Sequence, residues 1–197
     1  MSPIAGVRQM TVFEYVAVIV SIVLALGMTQ VLSGFANVLR NRERVVLHWP
    51  QLAWSLWLFM FHVQIWWSYW NIRSIESLGY FAFFLHLLWP VTLYLLSSLA
   101  WPDFDEGPVN LATYFDRKRR AFFGLLIAAN IVDAGSKFLT GNPEAARRTL
   151  SLVPWVVLYS IAFGTGRKRV HNMLAILALA GMVYWVFSFS PLVSGTP

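Results

Sequence analysis

Long runs of apolar residues, such as VAVIVSIVLALG at 16–27 and LLIAANIV at 125–132, are the feature that most limits how this chain can fold. Short charged segments separate the runs, and only 12% of the residues are charged while 58% are hydrophobic. Soluble domains carry about twice this fraction of charge, and a membrane β-barrel shows alternating strands of about ten residues. The sequence therefore predicts an all-α protein, a polytopic bundle of transmembrane helices.

Six candidate spans make up a single transmembrane domain over residues 1–197. They cover residues 12–39, 49–72, 80–101, 121–139, 148–163 and 170–189. The first span exceeds the roughly 20 residues that cross a bilayer, and the fifth is short. Sliding the chain by 104 residues places Arg44 on Arg148 and Pro50 on Pro154, which suggests two inverted three-helix halves as one form of this fold.

The distribution of basic residues predicts the orientation of the bundle. Ten of the 15 Lys and Arg residues lie in the first, third and fifth loops, at 40–44, 117–120 and 167–169. Because the side richer in Lys and Arg is normally cytoplasmic, both termini are predicted to lie outside. The net charge of +6 is interpreted as this topology signal, and no nucleic-acid partner is expected. Arg8 and the first run loosely resemble a signal peptide, but we expect the run to be retained as a span.

The segment at 101–120 links the third and fourth spans and carries four consecutive basic residues. Pro108 is expected in the first turn of a helix that runs into the fourth span, with Asp105 and Glu106 favouring its start. The quartet is Arg117, Lys118, Arg119 and Arg120. At the cytoplasmic surface each of these charges contributes about 1 kcal/mol of attraction to anionic phospholipid headgroups. A partner-binding patch is the alternative interpretation.

The motifs of soluble enzymes and metal sites are missing from the sequence. There is no phosphate-binding glycine loop, HExxH, GxSxG or CxxC. The chain has no cysteine, which excludes disulfides, thiolate metal sites and iron–sulfur clusters. We therefore expect neither an enzyme, nor a metal site, nor a bound cofactor.

Four ionisable residues lie within or at the edges of the predicted spans: Glu14, His62, His86 and Asp133. At about 1.5 Å per residue, their depths below the outer ends of the spans are about 6, 16, 10 and 12 Å. Charged groups at such depth normally face the bundle interior or a water-filled cavity. The four residues therefore predict one outward-facing polar pocket, although Asp133 also has Lys137 four residues later as an ion-pair partner.

The second span, with the run FHVQIWWSYWNIR at 61–73, carries a polar and aromatic stripe. On a helix, its members fall within about 60° of arc. They are Gln51, Ser55, His62, Trp66, Tyr69 and Arg73. The aromatic residues are typical of an interfacial belt, and Arg73 of a side chain that reaches the headgroups. For His62 two interpretations remain open, a packing residue and a member of the ligand or ion pathway together with Trp66 and Tyr69.

The third span places Pro90 four residues after His86. Proline cannot donate a hydrogen bond to the carbonyl of His86 and tends to kink a helix. The position then offers an imidazole and a free carbonyl, as broken membrane helices do at binding sites. The alternative is a proline kink whose freed carbonyl bonds to a neighbouring hydroxyl.

Three segments carry a resemblance: FEYVAVIVSIVLALGMTQVLSGF, WPQLAWSLWLFMFHVQIWW and NLATYFDRKRRAFFGLL. They resemble an uncharacterised family of small multi-pass bacterial inner-membrane proteins, over most of the first 130 residues. The resemblance implies a bacterial inner-membrane location. It implies no activity, cofactor or ligand.

Three functional hypotheses follow from these residues. The first is a channel-like or transporter-like membrane protein whose polar pocket binds or passes a small ion or solute, with His62 and His86 as protonatable gates. The second is a redox subunit in which His62 and His86 are the axial ligands of a haem b. The third is an assembly or interaction protein without a working pocket, acting through helix contacts or as a homo-oligomer.

Overall fold

The computed structural model describes residues 10–69, 77–104, 107–139 and 149–189, and within them the chain forms six α-helices. The helices are α1 (Val12–Arg40), α2 (Trp49–Ser68), α3 (Tyr80–Leu99), α4 (Leu111–Leu139), α5 (Val153–Gly164) and α6 (Lys168–Phe189). The all-α prediction is confirmed, and each predicted span overlaps one helix. Residues 70–72 and residue 148, at the edges of the second and fifth predicted spans, lie outside the described residues.

Helix α1 begins at a capping box. The Glu14 amide donates to Thr11 Oγ1 at 3.1 Å, and the Thr11 amide donates to Glu14 Oε2 at 2.8 Å. Two of the amides that a helix start leaves without intrahelical partners are satisfied in this way. The 29 residues of α1 make a helix about 43 Å long, more than the about 30 Å of a bilayer's hydrocarbon core.

The start of α4 differs from the prediction. Pro108 does not lie in its first turn, because residues Val109–Asn110 form a short strand and the helix begins at Leu111. Asn110 caps the helix, since its Oδ1 accepts from the amides of Ala112 at 3.0 Å and Thr113 at 3.2 Å. This side chain, rather than the proline, sets where α4 begins.

Two short strands join the first and third loops. Strand β1 (Val45–Val46) pairs in parallel with β2 (Val109–Asn110), with Val45 opposite Val109. Arg119, in the third turn of α4, donates from Nη1 to Phe163 O at 2.7 Å, where α5 ends before the fifth loop. The three loops that carry ten of the Lys and Arg residues therefore meet at one end of the bundle, which we call the basic end.

Helix α2 lies at the centre of the bundle and contacts α1, α3, α4 and α6. Trp54 and Trp57 also pack on Tyr159 of α5, with ring centroids 6.4 and 5.9 Å apart. Both tryptophans belong to an aromatic core that Phe122 and Phe123 of α4 complete. Because α2 is surrounded by protein, its polar side chains can form hydrogen bonds with other helices instead of facing lipid.

Three of the described helices, α1, α3 and α6, are long and apolar enough to cross a membrane. Large apolar side chains remain exposed along them, among them Ile22 and Leu26 on α1 and Ile176 and Phe187 on α6. Apolar faces of this length are typical of helices that contact lipid. The fold is thus a helical bundle with the features of a membrane protein.

Helix α1 packs on α3 and α2 through one seam. The buried residues along α1 recur every three or four positions and are Val16, Val20, Leu24, Gly27, Val31, Gly34 and Val38. The Trp101 ring, just after α3, lies directly against Gly34, so close that a Cβ on this glycine would be 2.2 Å from the ring. The glycine allows the end of α3 to approach the α1 backbone.

We expect Gly34→Ala to destabilise the protein by about 1–3 kcal/mol, the usual cost of overpacking a core. The measurement is the thermal unfolding of the purified protein in detergent. Gly135→Ala is the matched control, because a Cβ on this α4 glycine meets no atom within 4 Å. That substitution should be neutral or stabilise slightly, since alanine favours helix over glycine. Equal losses in the two variants would contradict the proposed contact.

Candidate functional site

His62 lies inside the bundle, where α1, α2 and α3 meet, and its side chain is fully buried at 0% exposure. Its Nδ1 is 2.7 Å from Leu58 O, one turn earlier on α2. Its Nε2 is 3.4 Å from Ser97 Oγ on α3, and Ser97 Oγ donates to Leu93 O at 2.7 Å. The polar stripe of α2 thus faces inward at Gln51, Ser55 and His62.

Gly27 of α1 closes the third side of the His62 pocket. A Cβ at this position would lie 2.3 Å from His62 Nε2 and 3.3 Å from the Tyr94 Cα. Only a residue without a side chain lets the two helices approach the imidazole this closely. His62 is therefore held between Gly27, Ser97 and its own helix, with no space for a larger group at Nε2.

A polar groove of about 410 Å³ opens between α1 and the end of α3, near the basic end. Its polar lining residues are Gln30, Ser33, Asn37, Ser97, Ser98 and Asp103. Ser97 lines this groove and also contacts the imidazole, so this one residue joins the groove to His62. We call this arrangement the α1–α3 groove.

Sequence reasoning missed most of the α1–α3 groove. Gln30, Ser33 and Asn37 recur at i, i+3 and i+7, the spacing of one helix face, and this was the available signal. None of the three is ionisable, so a search for charged groups within the spans does not select them. The groove also lies toward the basic end, whereas the predicted pocket was placed in the opposite half of the bundle.

The four ionisable residues predicted to share a pocket do not meet around His62. Glu14 belongs to the capping box of α1, 13 residues or about 20 Å along the helix from Gly27. Asp133 is half-buried on α4, while the groups around His62 come from α1, α2 and α3. The side chain of Lys137 and the whole of Arg73 lie outside the described residues.

His86 has partners of its own near the start of α3. Its Nδ1 is 2.7 Å from Ala82 O, and its main-chain carbonyl accepts a hydrogen bond from the Tyr69 hydroxyl. The carbonyl freed by Pro90 is thus bonded to a neighbouring hydroxyl, the second of the two interpretations. Trp66 lies on the surface of α2, 53% exposed, and donates to Ser21 Oγ of α1 at 3.1 Å.

The two histidines are not placed as axial ligands of one haem. Ser97, which contacts His62, is 11 residues or about 16 Å along α3 from His86. Two axial ligands must approach one iron from opposite sides. In addition, Gly27 occupies the space next to His62 Nε2. Among the described residues, no group of three or more His, Cys, Asp or Glu side chains could hold a metal ion.

The basic quartet is not one uniform surface. Arg117 and Arg120 are exposed, while Lys118 and Arg119 are half-buried. The Arg119 guanidinium donates to Phe163 O at 2.7 Å and lies 3.4 Å from Ala162 O, so it caps the carboxyl end of α5. The Arg119 guanidinium therefore stabilises the end of α5. The predicted contacts with lipid headgroups then involve the other three residues of the quartet.

His48 lies just before α2 at the basic end, with its ring 5.3 Å from that of Phe115. Burial lowers the pKa of its imidazole below the usual 6.5. The negative charge of Asp116 opposes this shift, and the positive charges of Lys168 and protonated His171 add to it. The folded state therefore favours neutral His48.

Because the pKa of His48 is lower in the folded state, its contribution to stability is present above about pH 6.5 and is lost as the pH falls through the folded-state pKa. We expect the thermal unfolding midpoint in detergent to fall between pH 8 and pH 5. His48→Gln should reduce this fall while leaving a nearly unchanged midpoint at pH 8, where both side chains are neutral. The same fall in both proteins would contradict the assignment.

Comparison with known proteins gives no relative: no family model matches the chain, and no curated protein and no solved structure is detectably similar to it. Its class is therefore defined by the bundle itself, an all-α protein with three helices able to span a membrane. Its function has to be inferred from the geometry around His62.

Proposed function

We propose that the chain is an integral membrane protein of six spans that takes up a small cation, the proton, at His62 and exchanges it with one side of the membrane through the α1–α3 groove. The observation that carries this proposal is the hydrogen-bond count around His62. The groove supplies the polar access route, with Asp103 as its acidic residue. The resemblance described above suggests the bacterial inner membrane as the location.

The contacts around His62 need one proton more than the neutral side chains hold. Three contacts run in series, from Leu58 O to the imidazole, from the imidazole to Ser97 Oγ, and from Ser97 Oγ to Leu93 O. Both ends are carbonyl acceptors, so every contact needs its own proton. Neutral His62 and Ser97 provide two. A third proton on the imidazole would complete the series, and the long 3.4 Å contact is the one that lacks it.

Two opposing energies make such a site exchangeable. A hydrogen bond from a charged donor contributes about 1.5–3 kcal/mol, whereas a charge in the centre of a membrane helix costs about 2.5–3.5 kcal/mol on insertion scales. Gly27 of α1 and Ser97 of α3, which lie next to the imidazole, carry no charge. With the two energies nearly balanced, a proton can both bind and leave.

The size of the pocket selects the ion. Gly27 packs against His62 Nε2, which leaves room for a proton but not for a hydrated metal cation or an organic solute. A larger solute could occupy only the groove, next to Asp103. The proposal therefore names the proton as the ion that reaches His62.

The six-span topology is supported by where the helices begin and end. Helix α4 starts at the basic end next to β2, and α5 finishes at the same end against Arg119. The chain between them must therefore pass to the opposite end and return. Helix α2, with 20 residues, is about 30 Å long, and the apolar residues 121–139 of α4 are of similar length. The positive-inside rule then places the basic end in the cytoplasm.

The experiment is proton flux into liposomes that contain the purified protein and a trapped pH-sensitive dye. We expect His62→Gln to reduce the flux at least tenfold, because glutamine cannot take up a proton. Ser97→Ala should reduce it by a smaller factor, since it removes the hydroxyl between the groove and the imidazole.

The matched control is His86→Gln. The His86 imidazole is likewise bonded to a carbonyl one turn earlier on its own helix, but it lies outside the groove. The flux of this variant should equal that of the unmodified protein. Flux that survives His62→Gln, or that is lost equally in His86→Gln, would overturn the proposal.

A further inference from the structure

A second cleft lies at the basic end where α2, α3 and α4 meet, apart from the α1–α3 groove. Its walls include Leu99, Trp54 and Phe122, and its charged lining residues are Lys118 and Arg119. The part of the cleft that admits water-sized groups measures about 20 Å³. Since one water needs about 10–15 Å³ by this measure, the cleft has room for a single small polar group.

Three side chains of α2 that line this cleft carry buried polar atoms. Gln51, Trp54 and Ser55 stand at i, i+3 and i+4 on one face of the helix, and their exposures are 3%, 2% and 2%. Gln51 Nε2 donates to Ala100 O at 2.8 Å. Gln51 Oε1, Trp54 Nε1 and Ser55 Oγ have no hydrogen-bond partner among the described residues. Buried polar atoms are normally satisfied, so this cluster is suited to hold a ligand group.

The unpartnered atoms define the chemistry of that group. Trp54 Nε1 can only donate. Gln51 Oε1 is a carbonyl oxygen and can only accept, and the bond from Nε2 to Ala100 O fixes the orientation of this amide. Ser55 Oγ can do either. An anion would face the Gln51 oxygen, and a cation would face the Trp54 N–H and two basic side chains. A neutral hydroxyl, which both donates and accepts, fits all three atoms.

Lys118 adds a requirement for negative charge beside the hydroxyl. Arg119 is bonded to the last carbonyls of α5, whereas the Lys118 ammonium has no ion pair or hydrogen bond with any described residue. Both residues stand just before the apolar part of α4, at the depth expected for lipid headgroups. The ligand is therefore expected to carry a hydroxyl and an anionic group close together.

We propose that this cleft, formed by Gln51, Trp54, Ser55 and Lys118, binds an anionic phospholipid whose headgroup carries a free hydroxyl, with a glycerol headgroup as the probe. The hydroxyl lies between Gln51 and Ser55, and the phosphate lies at Lys118. The inference depends on the membrane location of the chain but not on proton uptake at His62.

The test is native mass spectrometry of the full-length protein released from micelles that contain equal amounts of phosphatidylglycerol and phosphatidylserine. Both lipids are anionic, but only the first has headgroup hydroxyls. We expect preferential retention of phosphatidylglycerol. Ser55→Ala should remove most of this preference without changing the total lipid retained, and Gln51→Leu should do the same.

Lys118→Gln should reduce the retention of both lipids about fivefold, the effect of one basic charge near a membrane surface. Arg120→Gln is the matched control, an exposed member of the same quartet, and should change neither lipid. Equal retention of the two lipids, a preference that survives Ser55→Ala, or equal effects of Lys118→Gln and Arg120→Gln would overturn the site. Displacement of the lipid by free glycerol phosphate would overturn the assignment to a lipid, and an ordered water as the only occupant would overturn both.

Discussion

The structure depends on the enclosure of α2 by the other helices. Hydrocarbon cannot satisfy a buried imidazole, amide or indole, so a helix carrying Gln51, Trp54 and His62 is stable in a membrane only when protein covers it. Helices α1, α3, α4 and α6 supply that cover, while α1, α3 and α6 present apolar side chains outward. The helix that carries these polar residues is thus the one that the other helices enclose.

The same enclosure explains which features could be predicted from the sequence. Apolar runs and their charged boundaries locate the helices, because burial in lipid acts on each segment separately. The inward orientation of His62 was expected from its depth in the second span, since ionisable groups at such depth normally face protein or water. Glu14, His62, His86 and Asp133 were predicted to share one pocket, but the other three residues do not meet around His62. The sequence of a span gives the depth of a residue in the membrane. It does not give the rotation of the helix or which helices lie next to it, and these decide whether two residues meet.

The α1–α3 groove illustrates the second limit of sequence reasoning. Its polar residues come from α1 and from the region around the end of α3, and they meet because Gly34 and Gly27 let α1 approach its neighbours. Nothing in the sequence distinguishes either glycine as a site of helix contact. Pro50 and Pro154 do lie in the first turns of α2 and α5, as the suggested internal repeat requires. However, Arg148 lies outside the described residues, so the inverted-repeat arrangement stays a prediction.

The two short strands, although only two residues each, connect the two groups of helices. The parallel pairing of Val45–Val46 with Val109–Asn110 ties the loop after α1 to the loop before α4 by main-chain hydrogen bonds. Main-chain bonds do not depend on side-chain rotamers, and this pair links the first three helices to the last three at a single end. If the two groups of helices move apart, the basic end acts as the hinge, and the opposite end is where the bundle opens.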